Sequence, residues 1–161
     1  MSRPSRRRQP HRLLQYLTPK LYLKDVSAVS RLDVIRELSA LAAQEYGLDS
    51  ATIERKAWER ELIAATGIGH SVAIPHARLK DLKEPIVAVG TSEAGIPFDA
   101  PDGLPAHIVF LLITPQSQPE AQLELSADIA HTFREPRCQE QILRASTYTE
   151  LVAALKTLSS K

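Results

Sequence analysis

The sequence predicts an α/β layered fold, and three observations carry that prediction. Apolar runs of strand length, above all His107-Ile108-Val109-Phe110-Leu111-Leu112-Ile113, stand between segments whose apolar residues recur at helical spacing. Capping residues and glycine or proline stops mark the ends of those helical segments. Strands then alternate with helices along the chain, which is the order of a layered α/β domain.

Each element has a local reason. Leu13 to Val26 reads as a short helix, a turn at Thr18-Pro19 and a brief extended piece. Ser30 is an N-cap, with Asp33 placed to complete a capping box. Val34, Ile35, Leu38, Leu41 and Ala42 follow at helical spacing, and Gly47 stops that helix. Asp49 or Ser50 caps a second helix ending near Ala65, with Ile53, Ala57 and Leu62 on one face and Arg60 and Glu61 in its last turns. Gly67-Ile68-Gly69 predicts a glycine turn, and Val72-Ala73-Ile74 a short buried strand. Pro75 fixes its own φ and pushes Ile74 toward an extended shape, so the backbone sets the direction of His76.

Ile86 to Thr91 reads as a buried strand, Asp99 to Gly103 as a turn, and His107 to Ile113 as the central strand. After a polar loop, a helix from about Glu120 to Phe133 is expected to turn Leu123, Ala127, Ala130 and Phe133 inward, and Arg134-Glu135-Pro136 breaks it. A short helix near Gln139 to Arg144 follows. Thr147 and Glu150 form a capping box for a last helix carrying Leu151, Val152, Leu155 and Leu158.

Composition narrows the class. The 161 residues are enough for one domain with a sizeable core, and 43% hydrophobic with 24% charged residues is globular usage. A single cysteine, Cys138, excludes an internal disulfide and fits a reducing compartment. No apolar run approaches the roughly 20 residues that a membrane span needs, and the N-terminal arginines precede no apolar segment of a secretory signal. The net charge of +1 hides an asymmetry: five of the 20 basic residues lie in residues 1–12, which hold no acid, so the remaining 15 face 19 acids. That tail is read as a disordered, solvated leader; the competing reading is a contact for nucleic acid or an anionic surface, disfavoured because no aromatic residue interleaves the arginines. No nucleic-acid partner is expected.

The stretch Arg60 to Arg78 concentrates the chemistry. His76 follows a proline at a strand end, Arg60 and Arg78 flank it with guanidinium groups suited to phosphate oxygens, and Gly67 and Gly69 allow close backbone approach. Bland readings exist for each: a loop histidine with a backbone partner, ordinary surface ion pairs, a helix stop and a tight turn. His107 and His131 read as structural. A zinc site from His70, His76 and His107 matches no compact ligand spacing and is set aside, and no nucleotide-binding loop or serine-nucleophile elbow is present.

Arg60-Glu61, Thr66-Gly67-Ile68-Gly69 and Ala73-Ile74-Pro75-His76 together resemble the active-site segment of the fructose/mannitol-type EIIA domains of the bacterial phosphoenolpyruvate-dependent phosphotransferase system, and of their nitrogen-regulatory relatives. Ile96 to Gly103 followed by Ala106 to Pro115 is similar to a second stretch of that family. The resemblance runs from about Leu13 onward. It implies one EIIA-like domain over residues 13–161, with a mixed β-sheet flanked by helices on both faces, in a cytoplasmic protein that needs no cofactor and no metal. It implies that His76 carries a phosphoryl group, received from a phospho-histidine carrier protein and passed to an EIIB domain or held as a signal to a regulatory target. Imidazole suits that task, being neutral and nucleophilic near its ordinary pKa of about 6.5.

In the same reading Arg60 and Arg78 stabilise the transferring charge, Gly67 and Gly69 offer backbone N–H groups to the phosphate, and Glu61 either orients Arg60 or accepts a ring N–H. One departure stands out. Where the family often has a second histidine, this chain has Gln122. An amide can donate to a phosphoryl oxygen but can carry neither a proton nor a charge. Two functions of different class follow: a phosphocarrier of the nitrogen-regulatory type, or a binding module of the same fold whose phosphorylation is impaired.

Overall fold

The computed structural model describes residues 12–159, so the expectation for the basic tail lies outside the described residues apart from Arg12. The chain runs α1 (Arg12–Tyr16), a 3₁₀ turn (Pro19–Leu21), β1 (Tyr22–Leu23), α2 (Arg31–Tyr46), α3 (Ser50–Ile63), β2 (Gly67–Gly69), β3 (Val72–Ala73), β4 (His76–Leu79), β5 (Ile86–Ile96), β6 (Ala106–Pro115), α4 (Pro119–Thr132), α5 (Pro136–Arg144) and α6 (Tyr148–Ser159).

The strands form one mixed sheet in the order β1-β5-β6-β3-β2, with β4 also paired to β6. β6 is the axis of this sheet. It runs antiparallel to β5 and parallel to both β3 and β4, which share its length because Ile74-Pro75 interrupts what would be one strand. Pro75 keeps a place in the ladder through its carbonyl, which accepts from the Leu112 N–H at 3.0 Å.

Alternation along β6 divides the core in two. Val109, Leu111 and Ile113 join Val34, Ile35, Leu38, Ile53 and Ala57 of α2 and α3 on one face. Ile108, Phe110 and Leu112 join Leu13 of α1, Leu125 and Ile129 of α4, Ile142 of α5 and Leu151 of α6 on the other. Because side chains on a strand alternate faces, both faces of this run are apolar and both must be covered, and helices cover both. Phe110 and Phe133 meet edge to face, 5.7 Å between ring centres.

Three of the predicted caps form, whereas Asp49 precedes α3 without a side-chain cap, its carboxylate accepting from the Thr52 hydroxyl at 2.6 Å instead. Ser30 accepts from the Asp33 N–H at 3.2 Å, and Gly47 closes α2 in the left-handed region at φ 67°. Thr147 accepts from the Glu150 N–H at 3.2 Å.

Several expectations are corrected. Pro136 does not merely end the preceding helix; it occupies the first turn of α5, where its missing N–H costs nothing. β5 runs on past Thr91 to Ile96. Leu62 is 64% exposed, and the buried face of α3 instead carries Ile53, Ala57 and Glu61. Nine residues at about 100° each turn Leu62 to the side opposite Ile53. In α4 the inward set is Gln122, Leu125, Ile129 and Thr132, followed by Phe133, whereas Ala127 is exposed and Leu123 is 63% exposed. Gly67-Ile68-Gly69 is a strand rather than a turn, paired antiparallel with β3. The turn itself falls on His70 and Ser71, which take positive φ values of 56° and 67° without glycine. The side-chain carboxylate of Asp102 steadies it, accepting from the His70 N–H at 3.0 Å.

Candidate phosphate-accepting hollow

Glu61 is the internal anchor of the site. Its side chain is fully buried and accepts from the Thr66 N–H at 3.0 Å and the Thr66 hydroxyl at 2.5 Å. Arg31, stacked 5.8 Å from the centre of the Trp58 ring, pairs with the same carboxylate at 3.4 Å and with Asp99 at 3.5 Å. Thr66, held in this way, accepts through its carbonyl from the Ile74 N–H at 3.0 Å. Ile74 in turn presents its carbonyl to the His76 ring, where Nδ1 lies 3.0 Å away. A carbonyl can only accept, so Nδ1 carries the proton and the lone pair of the neutral ring is on Nε2. Among the described residues no side chain caps Nε2 at hydrogen-bond distance.

His76 opens β4 opposite Leu112 and Arg78 lies opposite Thr114. Ala77 between them belongs to the α2/α3 core, so His76 and Arg78 share the other face, over which α4 lies. There they line an open hollow of about 470 Å³ with Lys56 and Arg60 of α3, Ala77, and Gln122 and Leu123 of α4. No carboxylate is among these lining residues.

Three of the expected site residues therefore meet His76 at the hollow: Arg60, Arg78 and Gln122. Arg60 donates to the Ala64 carbonyl at 2.9 Å, which closes the end of α3 and aims its guanidinium across the helix terminus. Gln122 is buried; its amide nitrogen donates to Ser126 Oγ at 2.8 Å, and its oxygen faces Arg78 Nη2 at a long 3.5 Å. The amide nitrogen is thus engaged within α4, and the oxygen is turned to Arg78.

Glu61 does neither of the things expected of it, because Ile74 takes the ring N–H and Ala64 takes Arg60; it supports the site from below through Thr66. Gly67 and Gly69 do not line the hollow. A Cβ at Gly67 would come within 2.9 Å of the Phe98 Cβ and carbonyl oxygen, and Gly69, at φ +85°, lies against Asp102. These glycines let the 98–102 loop pack on β2, a close approach that accounts for both. His70 lies in the β2–β3 turn and His107 donates to or accepts from no lining group, its Nδ1 bonding the Ser92 carbonyl at 2.9 Å. Lys56 and Leu123 were not singled out from the sequence as site residues. The signal for Lys56 was its i, i+4 spacing to Arg60 on one helix face.

The electrostatics favour an unprotonated ring. Burial first, then the Arg60 and Arg78 charges, push the His76 pKa below its ordinary value, against the opposing pull of the Ile74 carbonyl and of Glu61. The sign follows directly: the unfolded chain takes up the proton at higher pH than the folded one, so stability falls as pH drops from about 6.5 toward the folded pKa. Urea unfolding across pH 7.5 to 5 should show this loss, and His76→Ala should lack that part of the slope. The neutral ring should likewise persist to pH values below the ordinary histidine range.

Among the described residues no helix is long and apolar enough to cross a membrane. The sequence model of the family described as "Phosphoenolpyruvate-dependent sugar phosphotransferase system, EIIA 2" matches residues 15–157. The chain is 36% identical over 137 residues to a nitrogen regulatory protein of Pseudomonas aeruginosa, covering 84% of this chain and 89% of that protein. It is 25% identical over 142 residues to the fructose-specific EIIABC component of Bacillus subtilis, covering 88% of this chain but 22% of that larger protein. The crystal structure of the nitrogen regulatory protein IIA-Ntr from Neisseria meningitidis superposes with a TM-score of 0.83 at 28% identity, over 89% of this chain and 98% of that one.

Proposed function

Given that the chain belongs to the EIIA 2 family of the phosphoenolpyruvate-dependent sugar phosphotransferase system, we propose that His76 is its phosphoryl acceptor and that the protein is a phosphocarrier of the nitrogen-regulatory type. The observation that supports this best is the bare Nε2 of a ring held by Ile74 at the edge of a hollow that contains three cations and no acid.

In the proposed step a phospho-histidine carrier protein presents its phosphoramidate. The Nε2 lone pair of His76 attacks phosphorus as the donor's P–N bond breaks, and that bond's electron pair leaves with the donor imidazole. The proton stays on His76 Nδ1 throughout, donated to the Ile74 carbonyl. Negative charge spread over the three phosphoryl oxygens meets Arg60 and Arg78, fixed donors of the kind that account for most of phosphoryl-transfer catalysis. Arg78 is held by Gln122, whose oxygen accepts from it; Glu61 positions the loop beneath the ring. Residues 13–161 act as one cytoplasmic phosphotransfer domain, and residues 1–12 take no part in the step.

The phosphoryl group is then passed to an EIIB domain or retained as a signal. Retention for regulation is the reading favoured by the relatives named nitrogen regulatory protein, because a phosphate is a compact charge change that can switch a protein-binding surface.

A second reading, a binding module impaired in phosphorylation, rests on Gln122. The hollow has one imidazole, and the amide nitrogen of Gln122 is taken by Ser126. Incubation with phosphoenolpyruvate and the general phosphotransfer proteins separates the two. An acid-labile label on the full chain, absent in His76→Ala, is expected. No label under conditions that label a control EIIA protein would favour the binding module.

A further inference from the structure

The two arginines of the hollow are held in different ways. Arg60 donates to the Ala64 carbonyl at 2.9 Å, so the backbone at the end of α3 fixes it. Arg78 is exposed and is in no ion pair among the described residues; its hydrogen bond goes to a side chain, the Gln122 oxygen, at 3.5 Å. Thr114 is its neighbour in the ladder and on the same face, but the buried Thr114 hydroxyl has no hydrogen-bond partner. The placement of Arg78 therefore depends on the Gln122 amide.

That amide has one tolerable orientation. A guanidinium group has donors and no acceptor, so the Gln122 oxygen must face Arg78 and its NH2 group must face away. The NH2 group then needs an acceptor of its own, and Ser126, one turn along α4, supplies it at 2.8 Å. Gln122 is 7% exposed, so water is a poor substitute for that hydroxyl. With the acceptor removed, the buried NH2 group gains by turning to another one, and the turn takes the oxygen away from Arg78.

We propose that Ser126 is a positioning residue for the transfer step, holding the Arg78 guanidinium at the hollow through the Gln122 amide. Donors fixed before the reaction are the ones that stabilise the charge developing in it, and a guanidinium left to wander loses that advantage. Arg60, tied to the backbone, needs no such aid. Ser126 itself does not line the hollow, so its effect on the chemistry passes through two side chains. The hydroxyl is what matters. Alanine at this helical position removes the acceptor while raising helix propensity, so the fold should keep its stability.

Two readouts on the full chain test this. Transfer from a phosphorylated histidine carrier protein, followed by rapid quench at increasing donor concentration, reads the step; NMR titration of the His76 ring reads the placement of Arg78 without any transfer. Ser126→Ala should lower the plateau rate about tenfold at unchanged half-saturation, part of the roughly 10²-fold that misplacing a group at a site can cost. It should also let the His76 pKa rise toward its ordinary value, because the Arg78 charge, after burial and Arg60, is among the causes that lower it. Ser126→Thr keeps the hydroxyl and should restore both. In an Arg78→Ala background Ser126→Ala should change neither, since the group it holds is gone. An unchanged rate and pKa in Ser126→Ala overturn the proposal. So does a loss that persists in the Arg78→Ala background, or one that Ser126→Thr shares. A raised half-saturation at an unchanged plateau overturns it too, since Ser126 would then be a contact for the donor. The transfer readout rests on the phosphocarrier reading: no label on the unaltered chain overturns that reading, and the titration then decides the positioning role, an unmoved pKa in Ser126→Ala overturning it.

Discussion

Glu61→Ala should cost the fold about 3–5 kcal/mol, the range for removing one partner of a buried charged network. The side chain is wholly enclosed and holds three donors: the Thr66 N–H, the Thr66 hydroxyl and Arg31. Truncation leaves the buried Thr66 N–H with no acceptor in place of its carboxylate, and leaves Arg31, 26% exposed, with Asp99 as its remaining anion. An unsatisfied buried donor alone costs about 1–3 kcal/mol. The effect should also reach the chemistry. Thr66 fixes Ile74, and the Ile74 carbonyl decides which nitrogen of His76 is bare. Urea unfolding should therefore show a lowered midpoint at unchanged slope, and the folded fraction should accept phosphoryl more slowly. A loss under about 1 kcal/mol would mean that water replaces the carboxylate without difficulty and that Glu61 is not an anchor.

Arg60→Ala and Arg78→Ala should each slow transfer to His76 by about 10²- to 10³-fold, the loss that follows removal of one fixed donor to developing negative charge. Their effect on stability should be small. Neither arginine is paired with a carboxylate among the described residues, and Arg78 is exposed. Both guanidinium charges lower the proton affinity of the ring, so each substitution should let the His76 pKa rise toward its ordinary value. The two readouts belong together. A rate loss without a rise in the pKa, followed by NMR titration of the ring, would show that the lost arginine acts on the partner and not at His76. Unchanged rates in both variants would remove the electrostatic basis of the mechanism.

The layered architecture was legible because its signals are local. A run that is apolar on both faces, as in residues 107–113, must lie between two layers, whatever the rest of the chain does. The Ser30 and Gly47 caps and the extended entry into Pro75 likewise depend on a few adjacent residues. So does the position of His76 directly after Pro75, at a strand end.

Helix faces were another matter. In both α3 and α4 the periodicity of apolar residues selected a leucine one place beyond a buried polar side chain: Leu62 after Glu61, and Leu123 after Gln122. A polar group can occupy an inward position only when partners satisfy it, and the partners of Glu61 come from Arg31, 30 residues before it, and from Thr66 across the end of the helix. The glycine pair was misread for the same reason, since its neighbours Phe98 and Asp102 are some 30 residues away. The chain alone determined the layers, the Ser30, Gly47 and Thr147 caps and the direction of the His76 imidazole, because nearest-neighbour sterics and strand alternation settle them. Only the assembled fold decided which polar groups go inside and where the cations gather, because each of those depends on hydrogen bonds and charges brought together from distant parts of the sequence.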